Sequence, residues 1–257
     1  MTTRNLGVGT SNYGSRISPA NSIELLKKSF DSGVNYIDTA PIYGFGNAEI
    51  IISKFIKKHK ISRQSLIIST KFGLVPGKKI IFFRKYVLPI FRRLIFIIMD
   101  RKSTKTESVV FNGDLLSISE IDKQIKRSLS NLHTDYIDNL LIHNNVMDYV
   151  KNNEIVNYLG SLKIKGVVKN IGITATLITN EMIDYINENE FIDILQIPLS
   201  NYEINKQINR EIKYVFFSPF SAKNIDSYKI IDIISKLNIE YTLLVNFRTV
   251  SRLKMNI

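Results

Sequence analysis

The chain contains no cysteine, which excludes disulfides, thiolate metal sites and cysteine nucleophiles together. Histidine is scarce as well: there are three, and no two have the spacing of a shared metal site. Phosphate-cradling loops are absent. Gly7-Val-Gly9 and Gly44-Phe-Gly46 lack the third glycine of a dinucleotide fingerprint, and no Gly-Lys-Ser/Thr loop occurs. The amino terminus, MTTRNLGVGT, has no apolar core of the length a signal peptide needs. Arg92 and Arg93 interrupt the most apolar stretch, so no run of about 20 apolar residues is available to span a bilayer. These absences leave a cytoplasmic enzyme or binding protein as the expectation.

What is present fits a globular fold. At 257 residues, 44% hydrophobic and 23% charged, the chain is long enough for one barrel-sized core and ordinary in composition. The net charge of +12 is mostly local: residues 78–102 carry eight Lys or Arg against one Asp, or +7 of it. The remainder does not call for a nucleic-acid partner.

Strand-like and helix-like segments alternate along the chain. Strands are expected at 5–8, 34–38, 66–70, 136–142, 167–173, 192–197, 214–217 and 241–245. Helices are expected at 20–32, 48–59, 117–132, 154–164, 180–189, 225–237 and 250–256. Ser117 and Glu120 have the spacing of a capping box. Strands rich in Ile, Val and Leu without clean alternation suit a parallel sheet buried on both faces. Eight such units point to an α/β (β/α)8 TIM barrel. The doubly wound sheet is the structural alternative, because periodicity does not count strand closure. No segment has linker composition, so residues 1–257 are expected to form one domain, with 78–113 as an insert within it.

Active sites of such barrels lie at the carboxyl ends of the strands. Asp38 and Tyr43 follow the second strand, Lys71 the third and His143 the fourth. Singly, each reads as a solvated or satisfied polar group; all four share one rim. A phenol with pKa about 10 is a poor acid at neutral pH, and a nearby ammonium favours its phenolate. Asp38 would keep Lys71 charged, and His143 would orient a carbonyl oxygen. That set protonates or deprotonates an oxygen on a substrate carbon. Without a nucleophile or metal cluster, it suits carbonyl reduction by hydride from a cofactor.

The stretch Asn35-Tyr-Ile-Asp-Thr-Ala-Pro-Ile-Tyr-Gly44, with Glu49 following, resembles the most specific motif of the aldo-keto reductases. Ser128-Leu-Ser-Asn-Leu-His-Thr-Asp-Tyr-Ile-Asp-Asn-Leu-Leu-Ile-His143 is similar to a second block of that family, and Lys71 after Ile-Ser-Thr to a third. The resemblance covers nearly the whole chain. It implies a (β/α)8 barrel, a nicotinamide cofactor and a small aldehyde, ketone or sugar substrate. It also implies a tetrad in which Tyr43 is the acid/base, Lys71 and Asp38 tune it, and His143 orients the carbonyl. Gln196 matches a carboxamide contact, and Phe217 with Ser218 matches the place where an aromatic ring stacks on the nicotinamide. Arg252 and Asn256 match the adenosine end. The guanidinium suits a 2′-phosphate, so NADP(H) is the expected form and NAD(H) the alternative.

The chain departs from the family's pattern at several of these positions. Thr174-Ala175 stands where a Ser-Asn pair is common, Asn246-Phe-Arg248 opens the phosphate-binding segment differently, and Met255 replaces a glutamate. Two alternative functions follow. One is a sugar or polyol dehydrogenase running the same chemistry in reverse. The other is a cofactor-impaired barrel acting as a binding or membrane-associated subunit. The insert at 78–102, KKIIFFRKYVLPIFRRLIFIIMDRK, divides on a helical wheel into basic and apolar parts. It is expected to pack over the barrel mouth as a lid or dimer contact. Its other reading is peripheral docking to the inner face of an anionic membrane.

Overall fold

A computed structural model describes residues 5–74, 117–143, 146–218, 233, 237 and 239–246. Eight parallel strands close into a barrel: β1 (Leu6–Gly9), β2 (Tyr36–Asp38), β3 (Ile67–Phe72), β4 (Ile137–His143), β5 (Val168–Thr174), β6 (Ile194–Pro198), β7 (Lys213–Phe217) and β8 (Tyr241–Val245). Pairing of Gly7 with Leu244 joins the last strand to the first. That closure rules out the doubly wound sheet.

The connecting helices are α1 (Pro19–Asp31), α2 (Ala48–His59), α3 (Ile118–Leu132), α4 (Val146–Val150), α5 (Asn153–Ile164) and α6 (Asn180–Glu188). Their starts follow capping chemistry. Ser18 accepts from the Asn21 N–H just ahead of Pro19, and Asn152 and Thr179 do the same for α5 and α6. Ser117 accepts from the Glu120 N–H at 3.2 Å, but the Glu120 carboxylate turns away to Lys123 at 2.6 Å. The expected capping box is therefore half formed. The short helix α4 and the 3-10 helix at Leu199–Lys206 are not among the expected elements. The helices foreseen at 225–237 and 250–256, and the insert at 78–102, lie largely or wholly outside the described residues.

Side chains alternate in and out along each strand. The inward set forms its own apolar cluster, Tyr36, Leu141, Ile194, Val215 and Leu244, with Phe217 packed against it. Gly172 makes room for it: a Cβ there would come within 2.5 Å of Leu141 and 2.6 Å of the Ile194 carbonyl. The outward set joins the helices in the main core, where Ile52, Phe55, Ile68 and Leu159 are fully buried. Below the inner cluster, at the amino ends of the strands, lies a cavity of about 260 Å³ bordered by Tyr36, Ile67, Asn139, Asn170, Lys213 and Thr242. Ile67, 39% exposed, belongs to this open end.

The same end is braced by Asp138. Its carboxylate accepts from Arg63 at 2.7 Å, from Lys169 at 2.8 Å and from the Ile68 N–H at 3.0 Å, tying the starts of β3, β4 and β5. Arg63 and Lys169 also lie 4.2 and 4.3 Å from the centroid of the Tyr136 ring. Removing one partner of a buried ion pair strands the other. Asp138→Ala should therefore cost about 3 kcal/mol of folding stability, measured as a lower urea midpoint by circular dichroism. An unchanged midpoint would show that solvent already carries these cations.

Candidate functional site

The carboxyl ends of the strands place the inward side chains of Asp38, Lys71, His143, Thr174, Gln196 and Phe217 at one mouth. Asp38 and Lys71 are 3% and 2% exposed, and the Lys71 ammonium donates to Asp38 Oδ1 at 2.7 Å and to the Thr39 carbonyl at 2.8 Å. Gln196 Nε2 donates to the same Asp38 oxygen at 3.0 Å. Behind them Thr10, fully buried, donates through its N–H and its hydroxyl to the Asp38 carbonyl. Sequence reasoning did not single out Thr10. Its signal was its position just past the carboxyl end of β1, beside the strand that carries Asp38.

Tyr43 enters from the turn that follows β2. The turn is tightly wound. Gly44, Phe45 and Gly46 take φ of 59°, 56° and 79°, all left-handed, and the chain then enters α2. Phe45 in that region is locally strained. Gly44 is required twice over, because a Cβ there would lie 1.8 Å from the Tyr13 carbonyl. Glu49, in the first turn of α2 and 1% exposed, accepts from Thr70 at 2.9 Å and from Asn131 at 2.9 Å. It thus ties the helix after Tyr43 to the residue beside Lys71. The Lys71 ammonium lies 5.0 Å from the centroid of the Tyr43 ring.

The electrostatics differ for each group. Burial lifts the Tyr43 phenol above its usual value, Lys71 pulls it back, and Asp38 pushes it up again; the net shift is upward. The expectation that the ammonium would make Tyr43 more acidic than a free phenol is thus outweighed by desolvation. Burial works against the Lys71 ammonium, but Asp38 and Tyr43 hold its pKa above the ordinary value. His143 is pushed down to about 3 by burial and by the nearby Lys71 charge, so it is a neutral imidazole. It can donate or accept a hydrogen bond to an uncharged oxygen but is no proton donor at neutral pH.

The structure brings Asp38, Tyr43, Lys71 and His143 together, with Gln196 bonded into the group. Thr174 is buried in register with His143 on one side and Gln196 on the other. Phe217 is half-buried at the end of β7, and Ser218 follows, exposed, with a left-handed φ of 50°. Asn246 donates to Ser11 at 3.0 Å, linking the end of β8 to the loop after β1. Arg252 and Asn256 lie outside the described residues. Among those described, no group of three or more metal-ligating side chains occurs.

The model of the Aldo/keto reductase family matches residues 5–240. The chain belongs to that family. An aldo/keto reductase relative, the NADH-specific methylglyoxal reductase of Escherichia coli (strain K12), is 30% identical over 152 residues, covering 58% of this chain and 40% of that protein. Aldo-keto reductase AMT2 of Alternaria alternata is 34% identical over 134 residues, covering 48% of this chain and 31% of that one. The matched region thus spans less than half of either relative. The aldo-keto reductase AKR11C1 from Bacillus halodurans (holo form) superposes with a TM-score of 0.66 at 19% identity, covering 98% of this chain and 85% of that one. That likeness speaks for the shared barrel.

Two outcomes follow from the geometry. Gly44→Ala should destabilise the fold by about 2 kcal/mol or more and displace Tyr43, read as a lower urea midpoint; a stable variant would show that the turn can relax. The second concerns His143, which is neutral when folded and binds a proton when unfolded below its ordinary 6.5. Stability should fall as pH drops below 6.5, by up to about 1 kcal/mol per pH unit. His143→Gln should flatten that slope in urea titrations at pH 7 and pH 5; an identical slope would place His143 in contact with solvent.

Proposed function

We propose that this protein is a nicotinamide-dependent oxidoreductase that reduces the carbonyl of a small aldehyde, ketone or sugar. The observation that carries the reading is the buried Asp38–Lys71 pair, 5.0 Å from the Tyr43 ring, beside a neutral histidine. Tyr43 is the proton donor to the carbonyl oxygen. Its phenol, raised above an already high ordinary value, keeps its proton through neutral pH, as a donor to a carbonyl oxygen must; the same residues run in reverse would make a sugar or polyol dehydrogenase. Lys71, held charged by Asp38, stabilises the phenolate that remains after transfer. His143 holds the carbonyl oxygen through a ring N–H without competing for the proton.

A nicotinamide cofactor, when bound, supplies the hydride. The residues at the mouth suit one. Gln196 is 2% exposed, and its Oε1 has no partner among the described residues; a buried acceptor of that kind fits an amide N–H donor. Thr174 flanks it, and Phe217 offers a ring at the next strand end. Arg252 favours NADP(H), whereas the name of the Escherichia coli relative brings in NADH as the alternative. The cofactor-impaired reading draws on Thr174-Ala175, Asn246 and Met255, and a nucleotide titration separates it from the enzyme. Peripheral membrane contact through 78–102 remains a separate proposal, resting on sequence alone.

The test is a fluorescence titration with NADPH and NADH, followed by turnover of methylglyoxal and a panel of simple aldehydes. Binding at about millimolar concentration or tighter is expected. Tyr43→Phe should bind the cofactor with unchanged affinity and lose at least about a hundredfold in turnover. No binding of either nucleotide would overturn the enzyme reading, and full activity in Tyr43→Phe would remove Tyr43 from its role.

A further inference from the structure

In the closed strand order, β2 and β6 stand on opposite sides of the barrel. The bond from Gln196 Nε2 to Asp38 Oδ1 therefore crosses the mouth, and joins residues 158 apart in the chain. The oxygen it reaches is the one that accepts the Lys71 ammonium. Which end of the Gln196 amide faces Asp38 follows from charge: an N–H is attracted to a carboxylate oxygen, whereas the amide oxygen would be repelled. The bond is made away from bulk water, where charge-assisted hydrogen bonds are strongest.

We propose that Gln196 is a positioning residue of the proton-transfer centre: by sharing Asp38 Oδ1 with Lys71, it sets how much of the ammonium's field reaches Tyr43. The inference rests on the reading of Tyr43 as the proton donor and goes beyond the cofactor contact expected of Gln196. Two donors on one oxygen divide the carboxylate's charge between them. Without the Gln196 N–H, Asp38 leans on Lys71 alone and cancels more of its field. Tyr43 then feels less positive potential, its phenolate is less stabilised, and the phenol becomes a weaker acid. Among the described residues, the charged groups that act on Tyr43 are Asp38 from β2 and Lys71 from β3, and His143 ends the neighbouring strand β4. The last is neutral, so the Asp38–Lys71 balance dominates.

The test uses the full chain carrying Gln196→Met, which keeps the side-chain length and loses both hydrogen-bonding ends. Carbon-13 labelling of the tyrosine rings, with Tyr43→Phe to assign the signal, follows the phenol's titration in the cofactor-free protein. The midpoint of Tyr43 should rise by about half a pH unit, a threefold loss of acidity. At saturating cofactor, kcat should fall in step with that loss. A weaker cofactor Kd with an unmoved Tyr43 midpoint would overturn the proposal, leaving Gln196 a cofactor contact only. Should Gln196→Met fail to fold, Gln196→Asn serves: its amide is drawn back by one carbon, about 1.5 Å, out of reach of Asp38, and the same rise is expected. Failure of the wild type to bind a nicotinamide nucleotide would overturn the functional reading instead, and the ring titration would still be readable.

Discussion

Asp38 and Lys71 meet in a part of the barrel where almost no water reaches them, and the rest of the mouth is arranged around that fact. Two charges removed from solvent gain little net stability from each other, and losing either leaves the other stranded. The pair survives because additional groups satisfy it: the Thr39 carbonyl on Lys71, Gln196 on the Asp38 carboxylate, and Thr10 on the Asp38 backbone. The chemical value of the arrangement lies in the same dryness. A charge held in low dielectric acts strongly on its neighbours, which is why one ammonium influences both Tyr43 and His143.

The opposite end of the barrel follows another logic. Asp138 also gathers cations, but its partners Arg63 and Lys169 sit at the strand starts, and Lys169 is largely solvated. There the ion pairs brace β3, β4 and β5 and face no reacting group. The inner apolar cluster around Leu141, Ile194 and Val215 separates the two ends. Bracing and the candidate site are thus divided along the barrel axis, as is general for this architecture.

Much of this was legible in the sequence, for local reasons. Strand-end polar residues, Ser117 as a helix cap and the glycine-rich break after β2 are all short-range signals. So the alternation of eight strands with helices and the polar strand ends at Asp38, Lys71 and His143 could be read from order, whereas Gln196 as a mouth residue came from the resemblance to the family. What could not be read depends on closure or backbone shape. The Gln196–Asp38 bond joins opposite strands, and no spacing in the chain encodes it. Gly44-Phe-Gly46 reads in the sequence only as a pair of glycines short of a dinucleotide fingerprint, whereas the backbone carries Phe45 left-handed with them. Lys71 does favour the Tyr43 phenolate, but the net upward shift could not be read because burial, the dominant influence, is a property of the packed mouth. The five-residue helix at Val146–Val150 is too short to show periodicity.

Strand β2 contains three residues, Tyr36, Ile37 and Asp38, and every one of them is buried. Tyr36 borders the cavity at one end of the barrel, and Asp38 anchors the charge pair at the other, on the same inward face. A slip of one residue against β1 or β3 would carry Ile37 inward and turn Asp38 towards the helices. Asp38 would then point away from the inward Lys71 ammonium that pairs with it. The strand is therefore its own proofreader during folding: the alignment that buries the carboxylate against an ammonium is also the alignment that assembles the site. A misaligned barrel would lack the site altogether instead of holding a weaker form of it.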